Sequence, residues 1–390
     1  MNILIVTREN EADKKYGLGK SIQRIAVELK AMGHHVHYFS QTECSATHRK
    51  WHPRLVRWLP SCFGILSGAF SERLIQGWMA AKTAKKESFS HVWFQDPWLC
   101  FGFNAHYFLT ATLVKSFKWG VTEHGLGSFA WAVKQDGLLL SDVIYKRLLR
   151  YEKKTLLKAD WVWSPSQSAM TLLLRDLQLS QVPKNWQVMP YGHPELSAPI
   201  PRVQHANSPP NILALGRIAP AKNYQILIDA IYLLQTQYHI EAQLIILGGG
   251  DKNILMQYAL KKGVKYPPEI REMHCSAENG IENKKIEQEF ERADIYTSAC
   301  HVESFGLANR EAIAYGLPSV ISAGGASCEV LGDGAWLVPN KAQHFANAYY
   351  HLLTDSKHQV FWKKQALNAA HSWPNWKTVS IHYEQTLLAL

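Results

Sequence analysis

With 390 residues, 47% of them hydrophobic, and 14 tryptophans, the chain predicts two globular domains and excludes an extended disordered polymer. Residues 1–200 carry 25 Lys and Arg against 15 Asp and Glu, whereas residues 201–390 carry 17 of each, so the net charge of +10 lies in the first half. That asymmetry predicts an anionic partner for the first half, with a generally basic solvated surface as the alternative.

Strand and helix patterns alternate along the first half of the chain. The apolar positions Ile22, Ile25 and Leu29 have helical spacing and predict a helix that ends at Gly33. A strand, a glycine-containing turn, a helix and a second strand form a βαβ unit, which predicts a parallel sheet. Strands are predicted at 2–6, 35–40, 91–95, 119–124 and 161–166.

A proline-rich stretch at 193–210 lacks periodicity and predicts a linker, after which a second alternating series begins. It contains a helix near 223–236, and the final segment 373–390 is also helical by pattern. Two such series predict two Rossmann-like α/β domains facing across a cleft, divided at 196/197. Strands are predicted at 211–216, 242–250, 273–278, 293–300, 317–322 and 335–339.

Two acids eight residues apart stand out in ESFGLANRE, where Glu303 would end a strand and Glu311 would lie on the next helix. In an open parallel sheet that edge is where ligands bind, and two carboxylates there suit sugar or ribose hydroxyls. The alternative is an acid favoured by the helix dipole together with an exposed helical Glu. The small-residue segment 322–334 either lines the same pocket or only turns the chain.

Five further positions lie at or just after the ends of predicted strands. Arg217 and Lys222 follow the first strand of the second domain and would suit a diphosphate, unless they are solvated loop cations. Gly17 and Gly19 are predicted in the turn after the first strand, where small residues either let a backbone approach a phosphate or only form an ordinary strand–helix turn. His124 ends another strand, and its role is either functional or structural.

Two basic stretches, 48–58 and 145–160, interleave cations with Trp or Leu and suit either anionic lipid headgroups or an acidic acceptor. For the second stretch, a helix packed on the sheet with a solvated basic face is the alternative. The apolar region 55–70 is interrupted by Arg57 and Pro60 and predicts no membrane span. MNILIVTREN predicts a first strand and not a signal peptide. Six scattered cysteines without metal-ligand spacing predict a cytoplasmic protein with reduced thiols and no metal site.

Taken in chain order, these motifs and predicted elements resemble those of a retaining glycosyltransferase of family 4 with the GT-B fold. The resemblance is strongest over residues 211–340. The E-x7-E motif of that family matches Glu303, which would lie against the donor sugar, and Glu311, which would bind the nucleotide ribose. The cations that hold the donor diphosphate in the family match Arg217 and Lys222. The resemblance also implies that the segment 374–390 crosses back onto the first domain.

The same resemblance extends to the remaining positions. The amino-terminal glycine turn matches Gly17 and Gly19, although the sequence here is GLG and not the commoner pair of adjacent glycines. His124 matches a histidine near the donor sugar. The backbone that caps the diphosphate matches Phe305, Gly306 and Leu307.

The implied activity is transfer from a nucleotide sugar, with a UDP-sugar favoured over a GDP-sugar, to a glycan or lipid-linked saccharide in cell-envelope polysaccharide or lipopolysaccharide biosynthesis. No cofactor, metal or nucleic acid is expected, and the basic domain would contact the anionic inner membrane face. Two other functions stay open: a GT-B sugar-nucleotide epimerase, and a non-enzymatic basic binding module.

Overall fold

The computed structural model describes residues 1–9, 17–58, 66–109, 117–135, 141–193, 208–271 and 281–390. The chain forms two compact units, one made of Met1–Tyr191 with Trp376–Leu390 and the other of Gly192–Asn375. These divisions lie a few residues from the expected ones at 196/197 and 373/374. The expected strand at 273–278 and most of the expected linker lie outside the described residues.

The first unit contains a parallel sheet of six strands in its described part, in the order β2-β1-β3-β4-β5-β6. Alternate residues of β1 enter two different apolar cores, because Leu4 and Val6 pack on one face while Ile3 and Ile5 pack on the other. A sheet buried on both faces needs nearly continuous apolar strands, as this sequence has. The strands are β1 (Asn2–Val6), β2 (His35–Phe39), β3 (His91–Phe94), β4 (Lys118–Thr122), β5 (Trp161–Ser164) and β6 (Trp186–Val188).

The described helices of the first unit cover both faces of this sheet. The carboxy-terminal helix α15 joins this unit because Tyr383 and Leu387 pack with Ile3 and Ile5. The Tyr383 hydroxyl also donates a hydrogen bond to the backbone carbonyl of Met189 at 3.0 Å. The helices are α1 (Gly17–Ala31), α2 (Ser45–Trp58), α3 (Leu66–Lys86), α4 (Leu99–Leu109), α5 (Phe129–Gln135), α6 (Asp142–Leu156), α7 (Gln167–Asp176) and α15 (Trp376–Leu388).

The second unit repeats this design with a parallel sheet in the order β12-β11-β10-β7-β8-β9 across the described residues. Ile212 and Ala214 of β7 enter one core, and Leu213 and Leu215 enter the other. The strands are β7 (Asn211–Leu215), β8 (Gln243–Leu247), β9 (Glu269–Arg271), β10 (Ile295–Ser298), β11 (Ser319–Ser322) and β12 (Trp336–Val338). The helices are α8 (Tyr224–Gln237), α9 (Lys252–Lys262), α10 (Ile281–Arg292), α11 (Leu307–Ala314), α12 (Ser327–Leu331), α13 (Ala342–Thr354) and α14 (Ser356–Ser372).

Two parallel sheets with helices on both faces confirm the predicted pair of doubly wound α/β units. One local expectation is wrong. Gly17 and Gly19 were expected in the turn before the first helix, but both lie in the first turn of α1, which begins at Gly17. The first amides of a helix have no partner within the helix, so this position still presents backbone N–H groups for an anion.

Candidate functional site

The strand order of the second sheet marks where a ligand would lie. From β7 the chain proceeds outward through β8 and β9, and it then returns to the other side of β7 to continue through β10, β11 and β12. Ligands of open α/β sheets bind beyond the carboxyl ends of the strands at such a reversal. The loops after β7 and β10 carry the expected cations and the first acid of the E-x7-E motif.

Lys222 and Glu303 come together at this reversal, although they are 81 positions apart in the sequence. Lys222 ends a short 3₁₀ turn, Pro220–Lys222, between β7 and α8, and its Nζ donates to Glu303 Oε2 at 3.0 Å. Their side chains are 28% and 16% exposed, so the pair is half-buried and still reaches solvent. A cation and a carboxylate are thus held side by side where the sheet topology predicts a ligand.

The pair keeps both groups charged. Burial alone would raise the pKa of the Glu303 carboxyl, but the charge and hydrogen bond of Lys222 lower that pKa below its ordinary value. The thiol of Cys300 and the backbone N–H of Gly306 donate further hydrogen bonds to the same carboxylate. In return, the Glu303 carboxylate raises the pKa of the Lys222 ammonium. Near neutral pH the site therefore presents one fixed negative and one fixed positive charge.

The loop after Glu303 leads into α11 through a glycine that the backbone requires. Gly306 has φ +79°, and a Cβ there would lie 2.9 Å from Asn309 Nδ2 and 3.3 Å from Glu303 Cγ. Phe305 and Gly306 are buried, and Leu307 begins the helix. The expected segment Phe305–Leu307 is therefore the amino-terminal entry of α11, where unpaired helix amides can hold an anion.

A second glycine fixes the backbone of Glu303 from the neighbouring loop. Gly325 has φ +62°, and a Cβ there would lie 2.4 Å from the Glu303 carbonyl oxygen. The next residue, Ala326, donates its backbone N–H to that same oxygen at 2.8 Å. The small residues after β11 thus hold the backbone of the first acid in place. The sequence alone is compatible with either a pocket lining or a simple turn for this segment.

Glu311 and Arg217 lie at the same edge of the sheet. Glu311 is on α11 and is half-buried, and Arg217 has an exposed side chain two residues beyond β7. Burial raises the pKa of the Tyr296 phenol well above its ordinary value, and the charges of Glu303 and Glu311 both contribute. Both acids of the E-x7-E motif are therefore within electrostatic reach of one buried tyrosine.

Arg310 is a residue that sequence reasoning missed. It is 3% exposed, and its guanidinium lies 4.9 Å from the ring centroid of Phe305 and 4.1 Å from that of Trp373. Burial lowers the pKa of this guanidinium. The stacking holds the Phe305 ring, and with it the loop that follows Glu303. The sequence shows only a charged residue on a predicted helix. Its neighbours Asn309 and Ala312 are both buried in the structure, which places Arg310 on the buried side of α11.

The carboxyl edge of the first sheet holds His124, two residues beyond β4. Its Nε2 lies 2.8 Å from Gln95 Oε1, and its Nδ1 is hydrogen-bonded to the Tyr191 hydroxyl. Gln95 directly follows β3, Tyr191 follows β6, and each is 4% exposed. Burial lowers the pKa of the His124 imidazole to about 3. The histidine is therefore neutral at physiological pH, and both ring nitrogens have partners.

Two buried acids lie in this unit, one of them Glu123, the residue before His124 in the sequence, and the other Glu152. Glu123 is 1% exposed, and its carboxyl oxygens have no hydrogen-bond partner among the described residues. Burial raises the pKa of this carboxyl well above its ordinary value, and the Glu152 carboxyl adds to the shift. Glu152 itself accepts backbone N–H groups of Phe129 and Ala130 at the start of α5, and burial raises its pKa to about 8. Burial and the neighbouring Glu152 carboxyl thus both favour the neutral form of Glu123.

The two basic stretches have different surroundings. In α6, which contains most of the second stretch, Ile144, Leu148 and Leu156 are buried, so the apolar side of this helix is already covered. In α2, which contains the first stretch, Trp51 and Trp58 are 41% and 79% exposed. Of the two basic stretches, as far as the structure describes them, the one in α2 thus has exposed tryptophan side chains beside its cations.

Two protein-family models of glycosyltransferases match this chain. A model described as "Glycosyltransferase Family 4" matches residues 16–192, and one described as "Glycosyl transferases group 1" matches residues 200–369. An uncharacterized glycosyltransferase of Methanocaldococcus jannaschii is 27% identical over 171 residues, which are 42% of this chain and 42% of that protein. The aligned region thus spans less than half the length of that relative.

Solved structures share the fold over the full length of the chain. Anabaena HepE in complex with UDP and glucose has a TM-score of 0.70 at 17% identity, and sucrose-phosphate synthase from Thermosynechococcus elongatus has 0.71 at 19%, each over 100% of both chains. An E. coli structure titled trehalose-6-phosphate and bound with UDP-2-fluoro glucose has 0.70 at 14%, over 100% of this chain and 99% of that one. At these identities the similarity shows the fold.

In the described residues no helix has the length and apolarity needed to cross a bilayer.

Proposed function

This chain belongs to the GT-B glycosyltransferases of the family 4 type, and we propose that it moves a sugar from a nucleotide sugar to an acceptor hydroxyl with retention of anomeric configuration. The observation that carries this proposal is the Lys222–Glu303 pair at the topological reversal of the second sheet. UDP is the favoured nucleotide, since the titles of similar structures name UDP or a UDP-sugar. The acceptor is a glycan or lipid-linked saccharide of the cell envelope.

Charge stabilisation would supply most of the catalysis. In this proposal Lys222, Arg217 and the first amides of α11 face the diphosphate, which is the group that gains negative charge as the sugar leaves. Two cations and a helix terminus can neutralise that charge, so no metal is expected to be needed. The first unit by itself also offers an anion contact at the amides of α1 near Gly17 and Gly19.

In this proposal Glu303 contacts the donor sugar and not the diphosphate. A carboxylate held next to the sugar ring stabilises the positive charge that develops at the anomeric carbon in an oxocarbenium-like transition state. In front-face substitution the leaving phosphate takes the acceptor's proton, and Glu303 stays charged throughout as an orienting group. His124 would donate a hydrogen bond to a hydroxyl of the donor sugar.

Replacing Glu311 with alanine tests the ribose contact. A hydrogen bond to a charged group contributes about 1.5–3 kcal/mol, so we expect Glu311→Ala to weaken UDP binding roughly 10- to 100-fold in titration calorimetry. A UDP analogue that lacks both ribose hydroxyls should bind the wild type and Glu311→Ala equally, because the contact is absent in both complexes.

The matched control is Glu241→Ala. Glu241 is an exposed acid two residues before β8, at the opposite edge of the same sheet, and it is paired with Lys265 at 2.5 Å. This variant should bind UDP like the wild type. An unchanged dissociation constant for UDP in Glu311→Ala, or an equal loss for the analogue without ribose hydroxyls, would contradict the ribose assignment.

Helix α2 is the part of the first unit that we propose lies on the anionic membrane carrying the acceptor. Lys50 and Arg54 lie 5.9 Å and 5.3 Å from the Trp51 ring centroid, so cations and exposed indoles share one surface. Reversing two charges with Arg54→Glu and Arg57→Glu should lower co-sedimentation with anionic vesicles roughly 10- to 100-fold, at about 1 kcal/mol per cation removed.

The control for that experiment reverses two exposed lysines of the second unit, Lys357→Glu and Lys364→Glu on α14. These changes alter the net charge equally but leave α2 intact. Equal loss of vesicle binding in both double variants would show that overall charge, and not this helix, drives the association. Binding of the wild type to neutral vesicles as tightly as to anionic ones would also contradict the proposal.

A further inference from the structure

Three side chains meet at the carboxyl edge of the first sheet although they come from distant parts of the sequence. Gln95, His124 and Tyr191 follow β3, β4 and β6, and their hydrogen bonds place the imidazole between the amide and the phenol. The Tyr191 ring is also fixed from its other side, since its centroid lies 6.4 Å from that of Trp376 on α15. Gln95 and Tyr191 are buried, whereas His124 is half-buried and keeps a solvent-facing part.

The chemistry of these partners decides where the imidazole proton lies. The side-chain carbonyl oxygen of Gln95 can only accept a hydrogen bond, so the facing Nε2 of His124 donates. A neutral imidazole carries one proton, so Nδ1 is then an acceptor and the Tyr191 hydroxyl donates to it. Tyr191 keeps its proton for this purpose, because burial raises the pKa of its phenol well above the ordinary value.

In the part of the chain that the structure describes, burial is the cause that lowers the pKa of His124, and no charged neighbour offsets it. Glu123, the adjacent residue in the sequence, is a buried acid, and burial raises both its pKa and that of the Tyr191 phenol, which favours the neutral form of each. General acid or base catalysis works best with a group whose pKa lies near the working pH, and His124 is far from that condition.

We infer that the Gln95 carbonyl selects the His124 tautomer protonated on Nε2 and holds this N–H until a hydroxyl of the donor sugar takes its place, and that Tyr191 is a positioning residue whose hydroxyl supports that tautomer by donating to Nδ1. The exchange replaces one acceptor by another and moves no proton. This inference rests on the role proposed above for His124 near the donor sugar. It adds that this histidine acts as a neutral hydrogen-bond donor of fixed tautomer.

The direct readout is the tautomer itself, measured by ¹⁵N–¹H NMR of protein labelled at its 18 histidines. The His124 signals are those absent from His124→Asn. We expect a single neutral form protonated on Nε2 from about pH 5 to pH 8 in the wild type. In Tyr191→Phe the Nδ1 atom loses its donor, so a mixture of tautomers should appear, or a pKa nearer the ordinary value of about 6.5.

Kinetics provide the second readout. Tyr191→Phe should lower kcat about tenfold, less than the roughly 10²- to 10³-fold cost of removing a donor that contacts the reacting group itself, and leave UDP affinity unchanged. In a His124→Asn background the same change should have little further effect, because the two residues act as one unit. Tyr383→Phe is the matched control, since it removes another buried hydroxyl of this unit that donates to a backbone carbonyl.

The outcomes separate the inference from the function on which it rests. A wild-type His124 that titrates near pH 6.5 or populates both tautomers overturns the inference without any kinetic measurement. An equal loss of kcat from Tyr191→Phe with and without His124 overturns it as well, because Tyr191 would then act only through the fold. Full turnover in His124→Asn, together with the expected tautomer, refutes the role proposed for His124 while the assignment of its proton stands.

Discussion

Replacing Glu303 with glutamine is expected to lower turnover about 10²- to 10³-fold while the dissociation constant for UDP changes no more than about threefold. Glutamine keeps the size of the side chain and an oxygen that can accept from Lys222, but it removes the charge. The negative charge is needed where positive charge develops on the sugar, which exists only in the transition state. Nucleotide affinity should hold or improve slightly, since Lys222 no longer has a carboxylate competing with the diphosphate.

The measurement compares kcat of Glu303→Gln with its UDP affinity from calorimetry. Glu241→Gln, which removes an exposed ion-paired carboxylate at the opposite sheet edge, serves as the control and should match the wild type in both. An equal loss of turnover and nucleotide affinity in Glu303→Gln would refute the assignment of this acid to the sugar. A covalent sugar adduct on Glu303 would refute the front-face mechanism and assign it as a nucleophile.

Lys222→Ala should reduce kcat/KM about 10³-fold and also weaken UDP binding, in contrast to Glu303→Gln. This lysine faces both the ground-state diphosphate and the charge that develops on it, and one lost electrostatic contact of this kind costs about 10²- to 10³-fold in rate. Lys265→Ala removes the exposed cation of the control pair and should leave both parameters unchanged. A loss confined to kcat would contradict a diphosphate contact in the ground state.

The same variant should change the pH dependence of kcat/KM. In the wild type, Lys222 lowers the pKa of Glu303, so the carboxylate persists to acidic pH. Without Lys222, burial is left to raise that pKa, because it disfavours the charged form. The acidic limb of the profile should therefore move to higher pH in Lys222→Ala. A limb that stays in place would show that Glu303 ionisation does not control activity.

The sequence permits a good prediction of the fold because its signals are local. Apolar runs such as 211–216 and 293–300 contain the strands β7 and β10 within one or two residues. Glu303 and Lys222 could be placed at strand ends by the same reasoning, since parallel strands bring their carboxyl ends to one edge. Their direct contact could not be predicted from local periodicity, because it joins residues 81 positions apart.

What the sequence did not reveal depends on contacts between separate loops. The Gly325 backbone lies against that of Glu303 only after β10 and β11 have paired. The burial of Arg310 requires Trp373, more than sixty residues later, to cover it. The helical start at Gly17 was misplaced because glycine is a weak helix former and usually indicates a turn. None of these arrangements leaves a periodic pattern.

Titration calorimetry in metal-free buffer against UDP, GDP and ADP tests the central claim that the second unit holds a nucleotide sugar through Lys222 and Glu311. We expect one diphosphate, UDP first, to bind without added metal and to bind much more weakly to Lys222→Ala and Glu311→Ala, while Lys265→Ala and Glu241→Ala bind like the wild type. Absence of binding for all three diphosphates, or binding unaffected by either site variant, would contradict the account.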